Sequence, residues 1–197
     1  MRILIIGAHG TIGSEIVKAL SGEHEILEAS RSSSDLHVDI TDPSSIRALY
    51  EQVGLVDAVI SAAGGGAWKP LDALTDEDFA LSLRYKLMGQ VNVVRYGLAH
   101  VRDGGSITTT SGILSRSPIP GSAAISLVNA GLEGFTRAAA LEAPRGIRIN
   151  VVSPPWVTET LIAMGSTDLS HGLPAATVAQ AYVRSVTGTD TGQVIEP

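Results

Sequence analysis

The chain of 197 residues is 44% hydrophobic and 17% charged, the balance of one folded domain; with aromatics at 4%, its core must be built from Ile, Val, Leu and Ala. Fourteen Lys and Arg against twenty Asp and Glu give a formal charge of −6, which argues against nucleic acid as a partner. The lack of cysteine excludes a disulfide scaffold, a thiol nucleophile and a thiolate metal site, and His9, His24, His37, His100 and His171 are scattered without metal-ligand spacing.

The elements follow in chain order. Residues 2–7 (RILIIG) form a short β-branched run apolar on both sides, which predicts a buried parallel strand. From Thr11 the period changes: Ile12, Ile16, Val17 and Leu20 share one helical face, and Ser21-Gly22 closes the helix. Strands are expected at 24–30 and 36–40. Asp42-Pro43 opens a helix, with the carboxylate at the cap and proline at the first position. Residues 56–63 are a fourth strand, ended by Gly64-Gly65-Gly66.

A long helix is expected over 76–101, with Phe79, Leu83, Leu87, Val91, Val94 and Leu98 as its stripe and Gly104-Gly105 as its stop. A strand at 106–111, an Ala-rich helix at 122–142 and a strand at 147–153 follow, the last ended by Pro154-Pro155. A helix at 175–186 and a strand at 192–195 complete the pattern. Strand and helix alternate from first to last. The fold class is therefore α/β, a doubly wound parallel sheet of about seven strands, in a Rossmann-type three-layer sandwich. The whole of 1–197 reads as one dinucleotide-binding domain. Residues 161–174 are weakly patterned: a loop or small lobe that either covers a ligand or merely connects. No apolar run is long enough for a signal-peptide core or a membrane span, so no membrane partner and a cytoplasmic location are expected.

Gly7, Gly10 and Gly13 follow the first strand and open the first helix, in the segment Gly7-Ala8-His9-Gly10-Thr11-Ile12-Gly13. One glycine permits the turn, one lets the backbone approach a pyrophosphate, and one lets helix and strand pack. Free N–H groups at the helix start, from Thr11 onward, then hold the anion. This predicts a dinucleotide site. An NAD site wants a carboxylate after the second strand; here Arg31 and the hydroxyls of Ser32, Ser33 and Ser34 stand there. A guanidinium suits a 2′-phosphate, and His9 could add positive charge, so NADP(H) is expected over NAD(H). Asp39 is placed to accept from the adenine amino group.

At this point the sequence resembles the short-chain dehydrogenase/reductase family. The resemblance runs from Arg2 to Val194, through GAHGTIG, VDITD (38–42), SAAG (61–64), GSITTTSG (105–112), NAGLEGFTRAAALE (129–142), IRINVVSP (147–154) and TGQV (191–194). It implies NAD or NADP binding, oxidation of alcohols or reduction of carbonyls, and Ala63 and Gly64 near the cofactor. It also implies that the two long helices pair in a homodimer or homotetramer.

Several positions depart from the family pattern. The resemblance puts the catalytic Tyr and Lys at Ile125 and Asn129, the serine at Gly112 with Ser111 beside it, and the asparagine at Lys86. A carbonyl needs a proton as well as a hydride, and Ile125 has none to give. Lys86 is the first candidate substitute, either reaching inward or solvated; Ser111, Thr110 or Tyr85 could relay a proton. Pro154-Pro155 replaces the family's Pro-Gly turn. The cofactor-holding Thr register falls on Glu159, with Thr158 and Thr160 on either side. Trp156 is either a pocket wall or core filling. The family tail is short, so the substrate pocket is expected to be small and open, or completed by a second subunit. The leading expectation is an NADP(H)-dependent oxidoreductase with a non-standard proton donor and an unidentified small substrate. The alternative is a catalytically inactive NADP(H)-binding sensor or regulatory protein.

Overall fold

Alternation along β1 (Arg2–Ile6) sets the architecture. Successive side chains of a strand point to opposite faces. Ile3 and Ile5 accordingly enter one core, and Leu4 and Ile6 the other. The computed structural model describes residues 1–32 and 35–197; Ser33 and Ser34 of the hydroxyl run lie outside them.

Seven parallel strands form the sheet in the order β3-β2-β1-β4-β5-β6-β9. They are β1, β2 (Glu25–Ser30), β3 (Leu36–His37), β4 (Val56–Ser61), β5 (Val101–Thr110), β6 (Arg148–Val152) and β9 (Val194–Ile195). On one face α1 (Thr11–Leu20) packs against α7 (Ala175–Thr187), burying Ile16, Leu20, Val178 and Tyr182. On the other lie α2 (Pro43–Val53), α4 (Gly89–Gly97) and α5 (Ala123–Glu142), over Ile46, Leu49, Tyr50 and Val93. Full burial of each such aliphatic side chain stabilises by roughly 1.5–3 kcal/mol. Tyr50 Oη donates to the Val93 carbonyl at 2.8 Å, so its one buried polar atom is satisfied. The doubly wound sheet is as the alternation predicts.

Several boundaries differ, each for a local reason. β3 stops at His37 because the Asp39 carboxylate accepts from Thr41 N (2.9 Å), turning the chain out of the sheet. The long helix is interrupted. α3 (Asp76–Ser82) passes into a π-helical turn, Leu83–Met88, then into α4, which ends at Gly97. A Cβ at Gly97 would lie 2.6 Å from Tyr50 Oη, so that glycine admits a close approach. Gly104 and Gly105 do not stop a helix; they lie inside β5, which starts at Val101. Gly104 is left-handed (φ +73°), and any Cβ at Gly105 would overlap the Asp57 carbonyl.

Residues 158–173 hold more than a loop. β7 (Trp156–Val157) leads into α6 (Thr158–Ala163), and β7 pairs with β8 (Gly172–Leu173). Glu159 caps the next helix, its carboxylate accepting from Ala175 N at 2.9 Å. Among the described residues, no helix is long and apolar enough to cross a membrane, and no cluster of three or more His, Asp or Glu could hold a metal ion.

Candidate active site

The chain runs from β1 to β3 on one side of the sheet and from β4 to β9 on the other, so a crevice opens at the carboxyl ends of β1 and β4. The glycine loop forms its floor. Gly7 adopts φ +86°, and a Cβ there would come within 3.0 Å of the Ala62–Ala63 backbone. A Cβ at Gly13 would overlap the Gly7 carbonyl oxygen, so α1 can start against the loop only with glycine at 13. Gly10 caps α1, its own N–H turned to Gly7 O at 3.0 Å. The N–H groups of Thr11, Ile12 and Gly13 belong to the first turn and have no acceptor within the helix. Their side chains stay out of the cavity: Thr11 is exposed, and Ile12 packs toward the α1–α7 core.

A cavity of about 480 Å³ lies over this loop. Arg31, Ser32 and Asp39 line one part of its wall, and Ala63, Gly64 and Tyr85 another. The Arg31 guanidinium is 5.9 Å from the centre of the Tyr85 ring. The Thr41 backbone N–H holds the Asp39 carboxyl below the usual carboxylate range, with the Arg31 charge helping. His9 also lines the cavity, and both of its ring nitrogens have partners. Its Nε2 is 3.4 Å from Glu28 and its Nδ1 3.1 Å from Ser30 Oγ, so Arg31 is the cation this site offers an anion.

A second, smaller cavity of about 250 Å³ has mainly apolar walls: Ile113, Leu114, Ile125, Pro154, Trp156 and Val157. Trp156 is thus a pocket wall, edge-on to Trp68 at 5.5 Å. Of the threonines after β7, Thr160 lines this cavity; Thr158 lies outside it, packed against Gly172. Lys86 lines this second cavity and packs against Gly64 of the first, where a Cβ would meet its Cδ at 3.1 Å.

Lys86 points inward. It sits in the π turn, where Gly89 N bonds back to Arg84 O, and only 7% of it is exposed. π turns occur frequently at functional sites. Its Nζ donates to the Ser111 carbonyl at 3.2 Å. Burial alone pulls its pKa from 10.5 to about 8. Gln90, one turn on, donates to Thr110 O (2.8 Å) and Lys86 O (3.3 Å) and accepts from Thr110 N (2.8 Å).

Of the other proton-relay candidates, the Ser111 and Thr110 hydroxyls are taken by other partners. The Ser111 hydroxyl donates to Glu133 Oε1 at 2.7 Å, so this serine meets Lys86 through its carbonyl. Thr110 Oγ1 bonds Ser61 O (2.6 Å) and Tyr182 Oη (2.7 Å) inside the core. Tyr85 faces the first cavity. Asn129 is 3% exposed and lines the second; its Nδ2 donates weakly to Gly112 O at 3.4 Å, and its Oδ1 has no partner. A Cβ at Gly112 would come within 3.0 Å of that Nδ2, so glycine at 112 and asparagine at 129 fit together.

Sequence reasoning missed Glu133 and Gln90. Their signal was spacing: each lies four residues after a singled-out position, Asn129 or Lys86, on the same helix face.

Comparison with known proteins agrees with this geometry. A family model described as enoyl-(acyl carrier protein) reductase matches residues 11–195. A crystal structure of a protein from Listeria innocua superposes with a TM-score of 0.95 at 42% identity, covering 100% of this chain and 98% of that one. A small-chain dehydrogenase solved in complex with NADPH gives 0.90 at 27% identity, covering 100% and 96%. A hydroxynaphthalene reductase from Aspergillus fumigatus is 32% identical over 142 residues, 68% of this chain and 52% of that protein. The chain spans about half the length of the curated relatives it matches. Glycine loop, sheet order and matched family model converge: the chain belongs to the short-chain dehydrogenase/reductase family, where the matching model is the one described as enoyl-(acyl carrier protein) reductase.

Proposed function

We propose that the chain is an NADP(H)-dependent oxidoreductase acting on a small carbonyl or electron-poor acceptor, with Lys86 as proton donor. The observation that carries this reading is Lys86 itself: a buried ammonium that packs against Gly64 and lines the second cavity together with Ile125 and Asn129, the positions where the family resemblance leads one to look for Tyr and Lys. The cofactor fits the residues present. Gly7 and Gly13 let the loop close against the Ala62–Ala63 backbone and the start of α1, whose first N–H groups lack helical acceptors beside a cavity of about 480 Å³, and the relative solved with NADPH shares the fold from end to end. Gly7, Gly10 and the first N–H groups of α1 would hold the pyrophosphate, Arg31 and Ser32 the 2′-phosphate, and Asp39 the adenine. Ala63, Gly64, Pro154 and Thr160 would flank the nicotinamide end.

Bound there, the nicotinamide supplies or accepts a hydride. Lys86 delivers the matching proton to the substrate oxygen. A pKa of about 8 keeps it mostly protonated at neutral pH, yet acidic enough to give the proton up. The Ser111 carbonyl fixes the ammonium, and the apolar walls exclude water. A homodimer belongs to the same reading, supported by Leu81, Met88 and Leu127 exposed on the helices around the π turn and on α5; sedimentation velocity reads it.

The test is titration with NADPH and with NADH, followed by the fluorescence of Trp156 and Trp68. Micromolar NADPH binding with much weaker NADH binding is expected. No binding of either at millimolar concentration overturns the reading. NADPH binding without turnover of any carbonyl probe favours an inactive nucleotide-binding regulator.

A further inference from the structure

The second cavity holds one buried polar atom that the fold does not use. Asn129 Oδ1 finds no donor, although the residue is 3% exposed and its amide nitrogen is anchored on Gly112 O. Leaving a buried acceptor unpaired is unfavourable, and on a residue that lines a cavity it calls for a donor from a ligand. Lys86 brings the opposite capacity. Its ammonium has three protons, of which the Ser111 carbonyl takes one. The two side chains hang on consecutive carbonyls, Ser111 and Gly112, and both residues line this cavity, which places a donor and an acceptor in one part of its wall. Around them the wall is Ile113, Leu114, Ile125, Pro154 and Trp156, which offers a bridging water few polar partners.

We infer that this cavity selects a small ketone, about one ring in size, that carries a hydroxyl or N–H on the atom next to its carbonyl: Lys86 reads the carbonyl oxygen and Asn129 Oδ1 reads the donor. The volume of about 250 Å³, below the usual range for drug-sized ligands and bordered by the nicotinamide end at Pro154 and Thr160, limits the substrate to at most one ring with a short substituent. The inference deepens the oxidoreductase reading and rests on it for the reaction, in which the hydride goes to the carbonyl carbon and the Lys86 proton to its oxygen. The binding preference needs no turnover.

The experiment compares α-hydroxyacetophenone with acetophenone by calorimetry, on the protein alone and with saturating NADPH. A preference of about tenfold for the hydroxyketone is expected, the worth of one hydrogen bond to an otherwise orphaned acceptor. Asn129→Leu, similar in volume but without an acceptor, should erase the preference while acetophenone affinity is kept. Equal affinities in the wild type, a preference that survives in N129L, or no binding of either compound under both conditions overturns the inference. Should N129L fail to fold, the wild-type comparison alone decides. Selective binding in a protein that ignores NADPH leaves the inference standing and removes the cofactor reading.

Discussion

The Ser111 hydroxyl donates to Glu133 Oε1 at 2.7 Å, and the carbonyl of the same serine receives Lys86 Nζ at 3.2 Å. One residue thus ties a buried carboxylate on α5 to a buried ammonium in the π turn. Glu133 also accepts from Ser115 (2.6 Å) and Ser153 (3.1 Å), with Arg116 at 3.4 Å and Arg137 at 3.7 Å.

Glu133→Ala removes the shared acceptor of the Ser111 and Ser153 hydroxyls, while Ser115 keeps the Gly112 carbonyl at 3.0 Å and both arginines keep access to water. Only the hydroxyls are orphaned, so the expected loss is about 1–3 kcal/mol, less than for breaking a fully buried ion pair. Glu133→Gln retains an acceptor and should lose less. Urea denaturation of the two variants checks the order.

Lys86 makes stability depend on alkaline pH. Its folded pKa of about 8 lies below the ordinary 10.5, so the folded state binds the proton less tightly than the unfolded chain. The cost of burying the charge is fully present below pH 8 and is relieved as pH rises from 8 to 10.5. A drop of this size corresponds to about 3 kcal/mol as an order of magnitude. Lys86→Met should therefore be more stable than wild type at pH 7, by a margin that shrinks toward pH 10. Denaturation curves across that range would show it, and a constant margin would contradict it.

The same ammonium should govern turnover. Reduction is expected to fall as pH rises through about 8, because neutral Lys86 has lost the proton it donates. Lys86→Met should lower kcat by roughly 10²–10⁴ with nucleotide affinity unchanged. Steady-state rates beside fluorescence titrations separate the two effects.

Gly13→Ala tests the glycine loop. Its Cβ would overlap the Gly7 carbonyl oxygen, so α1 must shift away. Loss of at least tenfold in NADPH affinity and a lower Tm are expected. Arg31→Ala should weaken NADPH by about tenfold or more and leave NADH nearly unchanged, since one charge-assisted phosphate contact is lost. Parallel titrations of both nucleotides measure each.

The sheet order and the glycine loop were legible because they rest on local signals. These are two-sided apolar strands, a period change at Thr11, and glycines where no Cβ fits. The end of β3 was not, because it depends on a side-chain bond from Asp39 that competes with the ladder. The π turn was not, because the apolar stripe Phe79–Leu98 fits a straight helix as well as an interrupted one. Arg31 and Lys86 could be singled out by type, but the inward direction of Lys86 follows from that turn. The pairing of His9 with Glu28 joins the glycine loop to β2, a contact no spacing along the chain reveals.

Gln90 has a consequence for kinetics. β4 last pairs with β5 at Ile60 and Thr108, and beyond that point the Gln90 amide takes both the N–H and the carbonyl of Thr110. There the ladder between the two strands gives way to side-chain bonds that the protein makes by itself, Gln90 to the Thr110 backbone and Thr110 Oγ1 to Ser61 O at 2.6 Å. Ligand entry then requires no strand separation. Nucleotide association should be a single phase, linear in concentration, with a rate constant of roughly 10⁵–10⁷ M⁻¹s⁻¹. Stopped-flow traces of Trp156 fluorescence that level off at high nucleotide would show instead that a slow rearrangement precedes binding.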